Sequence, residues 1–264
     1  MAEDLVLSEK KGNVAIITLN RPRKRNAVSY EMALALDEQI DKAAEDDEVR
    51  VVVLRGEGPG FSAGIDFNML AQISEKSSSP SAFRYFLPKL QEIFNKMETM
   101  EKPVIVALHG FCFGLGLEMA LAADFRIAAE GTEIALQETE IGLIPDVGGT
   151  TRLTRTVGIP LAKEIIMTSR RLNAREALDI HLVNEVVPRD ELMPVVMRWV
   201  ERLENCAPLA IGLAKKIIDR GAHLDKLTFM ALEGLAQSAL IQTDDVKEGV
   251  MAKIQKRKPE FKGK

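Results

Sequence analysis

An α/β fold is predicted by three observations. Short apolar strand patterns alternate with amphipathic helix patterns along roughly the first 190 residues. The segment RVVVLRG at 50–56 is short and fully apolar, and VIVAL at 104–108 repeats that pattern. A chain of 264 residues that is 46% hydrophobic can bury a large core as one domain, or as one domain with an extension.

Residues 5–8 and 13–19 read as two strands, with Lys11, Gly12 and Asn13 as the hairpin turn. The segment 29–45 opens with Ser29 as an N-cap candidate and repeats apolar positions at helical spacing. Strand 50–56 and the turn FSAGID (61–66) lead into a helix. SEKSSSP at 74–80 reads as a polar, flexible insertion before a second helix at about 82–100. Strand 104–108, a glycine-rich turn and the helix carrying Glu118 follow. Strands at 124–129 and 133–136 lead to helices between Thr150 and Leu178, then a last strand at 183–187. After Pro188 the pattern is helical to the end. Helices from about 190 to 255 carry apolar faces beyond what one core demands, which points to an oligomer interface. The expected organisation is a core over residues 1–190 and a helical oligomerisation region over 191–264.

The net charge of -4 offers no electrostatic case for nucleic acid or an anionic membrane. Local basic runs at 21–25 (RPRKR) and 256–258 (KRK) suit the phosphates of a small ligand. Cys112 and Cys206 form no metal spacing and no disulfide framework; both read as buried thiols of a reducing compartment. MAEDLVLSEK carries acids where a signal peptide would be basic, so a cytoplasmic location is expected. The apolar stretch 103–125 is broken by His109, glycines, Glu118 and Asp124, which excludes a transmembrane reading. His109, at a strand end, reads as a satisfied core histidine.

Glu118 is the sharpest chemical signal. It stands inside VIVALHGFCFGLGLEMALAADFRIA, where an unpaired buried carboxylate costs several kcal/mol or shifts its pKa upward. Just before it, Gly110, Gly114 and Gly116 let the backbone approach a ligand, and the following helix directs unpaired N–H groups toward whatever sits there. A tight strand-to-helix connection would need the same small residues. A dinucleotide fingerprint fails, because Met119 occupies its third small position. In FSAGID, Gly64 permits a strained backbone and Ile65 offers a second N–H. Two donors on one oxygen would form an oxyanion hole, each contributing about 3 kcal/mol, although the turn alone could be an ordinary one.

A second acidic cluster, LQETEIGLIPDVGG at 136–149, contains Glu138, Glu140 and Asp146. Glu118 and Glu138 fall on adjacent strand-loop-helix units and can face one pocket, where one held protonated and one ionised suit general acid–base work. Asp146 serves either that chemistry or the N-cap of VGGTTRL. No Ser-His-Asp order, P-loop or metal spacing is present.

Four motifs in order, RPRKRNAVS, FSAGID, HGFCFGLGLEMALAADFRIA and LQETEIGLIPDVGGTTRL, closely resemble the crotonase superfamily of acyl-coenzyme A enzymes, particularly enoyl-CoA hydratases, over about residues 5–260. The resemblance implies a spiral of ββα units, a C-terminal helical region that mediates trimers, often paired into hexamers, and no metal or redox cofactor, the coenzyme A thioester being substrate. It implies oxyanion-hole amides at Ile65 and Leu115, and Glu118 and Glu138 as the two hydratase glutamates. It places Ala63, Asp66, Phe67 and Asn68 along the coenzyme A site beside Gly114. Lys24, Arg25, Ala27 and Val28 match the loop near the adenine and phosphates. Lys256 and Phe261 match C-terminal elements that reach a neighbouring subunit's ligand.

The chain departs from the hydratase pattern at Leu115, where Gly is usual, and at Asp146. An acid at 146, together with AGID and HG-x-C, resembles the dienoyl-CoA isomerase branch, which pairs acids equivalent to Glu138 and Asp146 but has Asp at position 118. Glu118 favours water addition, and Asp146 keeps isomerisation open.

Overall fold

The computed structural model describes residues 4–76, 80–221 and 224–264. Strands β1 (Val6–Lys11) and β2 (Val14–Leu19) form the hairpin, with Gly12 at φ +59 in a two-residue turn. Helix α1 (Tyr30–Glu45) starts at Ser29, whose side chain accepts from Met32 N–H. Strand β3 (Val51–Gly56), α2 (Phe67–Lys76), α3 (Pro80–Thr99), β4 (Val104–Leu108), β5 (Phe111–Phe113) and α4 (Leu115–Leu121) follow. Next come β6 (Phe125–Ala129), β7 (Glu133–Ala135), α5 (Gly149–Val157), α6 (Ile159–Met167), β8 (Leu172–Asn173), α7 (Ala174–Asp179) and β9 (Glu185–Val187). The chain ends with α8 (Leu192–Glu204), α9 (Pro208–Gly221), α10 (Lys226–Leu240) and α11 (Asp244–Gln255).

The main sheet runs β1-β2-β3-β4-β6-β9, antiparallel only at β1-β2. Alternation divides its strands between two cores. Ile16, Val53, Ile105 and Ile127 face Leu192, Val195, Val196 and Val200 of α8, whereas Ile17, Leu54, Val106 and Ala128 join a larger cluster with α1, α3 and α4. Both faces are thus covered, which is why the central strands read as continuous apolar runs. At the sheet's edge β1 is polar, with Ser8, Glu9, Lys10 and Lys11 exposed. A second sheet, β5-β7-β8, sits at the carboxyl ends of the main strands and carries the turns described below.

Several local expectations are corrected. Glu75 and Lys76 extend α2, and Pro80 opens α3, so only 77–79 of the expected insertion separates them, and it lies outside the described residues. The glycine turn contains a short strand, β5, and β8 interrupts the stretch expected to be helical. Cys112 is buried but Cys206 is exposed, because it falls in the bend after α8 where no core covers it. The chain is not helical to its end: Lys256 takes a left-handed φ of 54 and Pro259 follows. The boundary expected at 190 separates the main sheet from α8, which closes one of its faces, whereas α10 contains no buried residue. Among the described residues no helix is long and apolar enough to cross a membrane.

Ile105 is fully buried in the central strand, and Ser29 only caps α1. Ile105→Ala is expected to lower stability by about 2–5 kcal/mol and Ser29→Ala by about 1 kcal/mol, read from urea unfolding midpoints.

Candidate active site

The turn 61–66 is laced to its surroundings by backbone. Ser62 bridges Cys112 of β5, and Phe113 N–H donates to Ser62 O at 3.0 Å. On its other side, Val28 N–H donates to Gly64 O (2.7 Å) and Asp66 N–H to Val28 O (2.9 Å). These two bonds straddle Ile65 and leave its own N–H outside the ladder. Asn26, fully buried, bolts the loop 21–28 to the turn by donating to Glu57 O and Gly60 O at 2.9 Å each. Ser62 Oγ donates to Asn26 O and accepts from Gly64 N–H.

Gly114 links β5 to α4 with φ 49 and ψ -126, and a Cβ there would stand 3.0 Å from Glu138 Oε1. Leu115 is the first residue of α4, so its N–H has no intrahelical acceptor. A Cβ on Gly64 would lie 3.4 Å from Leu115 N, so the two turns touch. Among the described residues neither Ile65 N–H nor Leu115 N–H donates to a protein acceptor.

Every residue of α4 is buried, and Glu118 is 2% exposed. Its Oε2 accepts from Gly149 N–H at 2.7 Å. Burial pushes its carboxyl from the usual 4.5 to about 8; Gly149 N–H opposes that shift, and the charges of Glu138 and Asp146 add to it. The buried guanidinium of Arg126 secures the other end of α4, donating to Ala123 O (2.8 Å), Ala120 O (3.3 Å) and Leu182 O (2.7 Å). Glu138 opens a 3-10 turn, Glu138–Ile141, pinned by Thr139 Oγ1 donating to Ile166 O. Burial raises its carboxyl to about 7, with Asp146 adding to the shift, and its Oε2 is buried without a hydrogen-bond partner. Asp146 is also raised, by burial.

The structure brings Ile65, Leu115, Gly114, Glu118, Glu138 and Asp146 to one locality, with Ala27, Val28 and Ala63 along its wall. Asp146 is not an N-cap: α5 begins from Gly148, with no side-chain cap. Asp66 has a structural occupation, pairing with Arg21 and accepting from Asn68 N–H at the start of α2. Burial alone would raise its carboxyl, but those partners hold it low. Lys24 and Arg25 are exposed on the laced loop, Arg25 lying over the Phe111 ring at 4.9 Å. Phe67 is 69% exposed, and Asn68 is exposed beside it. His109 is buried, with Nε2 3.0 Å from Gly58 O, which matches the core reading.

Lys256 and Phe261 do not join this locality. Phe261 folds back on its own chain, its ring over Gly249 and its carbonyl accepting from Arg50. Asp245 holds the following Lys262 and Gly263 amides at 2.7 and 2.8 Å. Arg50 precedes β3, so Phe261 sits at the amino edge of the parallel strands, a strand length of about 20 Å from the turns. A cleft of about 700 Å³ also opens on that side, lined by Asp124, Arg126, Lys215 and Asp219, and none of the three site acids lines it. Sequence reasoning missed the Gly149 amide, whose signal is the GG pair that ends the acidic segment, and Asn26 directly after the basic run.

A family model described as Enoyl-CoA hydratase/isomerase matches residues 9–264. The chain is 37% identical to the short-chain-enoyl-CoA hydratase of Clostridium acetobutylicum, over 97% of this chain and 96% of that protein. It is 35% identical to the crotonyl-CoA hydratase of Syntrophomonas wolfei, over 99% of each. Among solved structures, the enoyl-CoA hydratase of Bacillus anthracis superposes with a TM-score of 0.92 at 35% identity, covering 98% of this chain and 100% of that one.

Raised carboxyls make the folded chain bind more protons than the unfolded chain between about 4.5 and about 8, so their contribution to stability falls as pH rises through that window. Glu118→Gln is therefore expected to flatten the loss of stability between pH 5 and 8, measured by urea unfolding at a series of pH values. An unchanged slope would contradict the buried, protonated Glu118.

Proposed function

The chain belongs to the enoyl-CoA hydratase/isomerase family, and from that premise we propose that it adds water reversibly across the 2,3 double bond of a 2-enoyl-CoA thioester. One observation carries this reading: two unpaired backbone N–H groups on touching turns stand beside a pair of carboxyls, one of which has a buried oxygen without a partner. In this proposal the thioester oxygen sits between Ile65 N–H and Leu115 N–H. The two donors favour the enolate-like transition state by about 3 kcal/mol each. Glu118 and Glu138 hold a water over C3. The water's oxygen bonds to C3, its proton passes to the carboxyl pair, and the pair delivers a proton to C2. The pair begins and ends with the same number of protons, so no redox or metal step is required. Its apparent values of about 8 and about 7 suit this: near neutral pH one carboxyl is protonated and one ionised. Lys24 and Arg25 meet the coenzyme A phosphates, and Phe67 and Asn68 border the thioester arm.

A second reading, double-bond isomerisation, is favoured by Asp146. Its charge acts on both glutamates, and its carboxyl caps no helix. A base placed beyond the glutamate pair helps only chemistry remote from the thioester.

The active assembly is proposed to be a trimer or a pair of trimers. In α10, Leu227 is 77% and Leu235 67% exposed, and no residue of that helix is buried within the chain.

With crotonyl-CoA as substrate, Glu118→Gln and Glu138→Gln should each lower kcat at least about 100-fold while acyl-CoA binding stays nearly intact. Near-wild-type turnover in either variant would overturn the acid pair. Asp146→Ala should keep most hydration and abolish any isomerisation of a 3,5-dienoyl-CoA; equal collapse of both activities in a folded variant would contradict the division of labour. Light scattering is expected to give a mass of three or six chains of 29.2 kDa, and a stable monomer at micromolar concentration would refute the assembly.

A further inference from the structure

One face of α3 carries three polar side chains, Gln91, Asn95 and Glu98, spaced four and three residues apart. All three engage the end of the second acidic cluster or the helix that follows it. Gln91 Nε2 donates to Asp146 O at 2.6 Å. Arg152, on the first turn of α5 and 6% exposed, donates to Glu98 Oε2 from Nε (3.1 Å) and Nη2 (2.8 Å) and to Asn95 Oδ1 from Nη2 (2.6 Å). Its remaining arm donates from Nη1 to Val147 O at 3.0 Å. Between Arg152 and Glu118 runs the pair Gly148–Gly149. A Cβ on Gly148, which has φ +99, would fall 1.9 Å from Arg152 Nη1, and one on Gly149 would fall 2.7 Å from Glu118 Cγ. The two-glycine backbone is therefore held between a guanidinium on one side and Glu118 on the other, and the Gly149 amide donates to Glu118.

We propose that Arg152, fixed by Asn95 and Glu98, is the positioning residue for Glu118: it holds the 147–149 backbone so that the Gly149 amide orients that carboxyl and leaves its other oxygen for the reaction. The assignment rests on the acid-pair reading above. Among the described residues the partners of the Arg152 side chain are Glu98, Asn95 and Val147 O and do not include Glu118, so it acts on that carboxyl through the backbone between them. A guanidinium is suited to this because its planar fork spans Glu98, Asn95 and Val147 at once. A lysine at the same place supplies the charge without the fork.

Two variants and two readouts test the proposal. In Arg152→Lys the charge is kept and the fork is lost; kcat for crotonyl-CoA hydration should fall at least about tenfold while KM changes less than about twofold. The Glu118 carboxyl, followed by infrared difference titration with Glu118→Gln as the reference, should titrate at higher pH, because the Gly149 amide no longer favours its ionised form. Glu98→Gln preserves volume at a partly exposed site and should shift both readouts in the same direction by a smaller amount. An unmoved Glu118 titration with unchanged kcat in Arg152→Lys would overturn the proposal, as would a loss confined to KM. If Arg152→Lys does not fold, the same readouts on Glu98→Gln decide it, and unmoved values overturn it. Failure of the wild-type protein to hydrate crotonyl-CoA would defeat the functional reading instead, and the titration would still test the positioning without substrate.

Discussion

The site depends on seven residues of α4 that are buried without exception. A helix this short has almost no hydrogen-bonded middle: one end must present an N–H to a ligand, the other must lose its free carbonyls, and a carboxyl must fit between. The chain meets each demand with a different device. Gly114 turns the backbone sharply enough to aim Leu115 N–H outward, Arg126 collects the carbonyls of Ala120 and Ala123, and the Gly149 amide meets Glu118. Because α4 is too short to stand by its own hydrogen bonds, these three contacts decide where its carboxyl and its leading amide lie.

The electrostatics follow from the same burial. A single carboxyl at 2% exposure would ordinarily be neutral and inert, but a second one nearby makes the shared proton count adjustable near neutrality. Glu138 is less enclosed and stands on a 3-10 turn, tied by Thr139 to the end of α6. The two acids thus come from separate elements with separate supports, and the turn 61–66 comes from a third. What joins them is backbone pairing: Ser62 with Cys112, Val28 with Ile65, and Gly114 N–H with Ala135 O.

Much of this was legible in the residues, and the failures have physical reasons. Ser29 marked the start of α1, the apolar runs at 51–54 and 104–108 marked strands buried on both faces, and a carboxylate inside an apolar segment marked Glu118. Pairings that need a distant partner were not legible. β5 and β8 have three and two residues, too few to show a period, and exist because β7 lies between them. Asp146 reads either as a catalytic acid or as a cap, and the cap fails because the two glycines after it let the helix begin later. Cys206 looked buried by residue type, yet exposure is decided by whether the end of α8 has anything above it. The place of Phe261 depends on Arg50, far away in sequence, and on Asp245 in the helix before it. Arg152 carried no signal, since its meaning lies in what the glycines beside it leave room for.

The polar outer strand of the main sheet has a consequence for self-association. β1 presents Ser8, Glu9, Lys10 and Lys11 to solvent, and the opposite margin, β9, is only three residues long. A charged margin and a stub both resist the addition of a further strand, which disfavours lengthening of the sheet by another copy of the chain. Any contact between copies through these margins is disfavoured, whereas helix surfaces, whose side-chain relief matches only a few arrangements, carry no such bar. A closed set of subunits can satisfy such surfaces, whereas ladder-to-ladder growth has no natural end. The few charges on β1 therefore disfavour edge-to-edge growth of the main sheet.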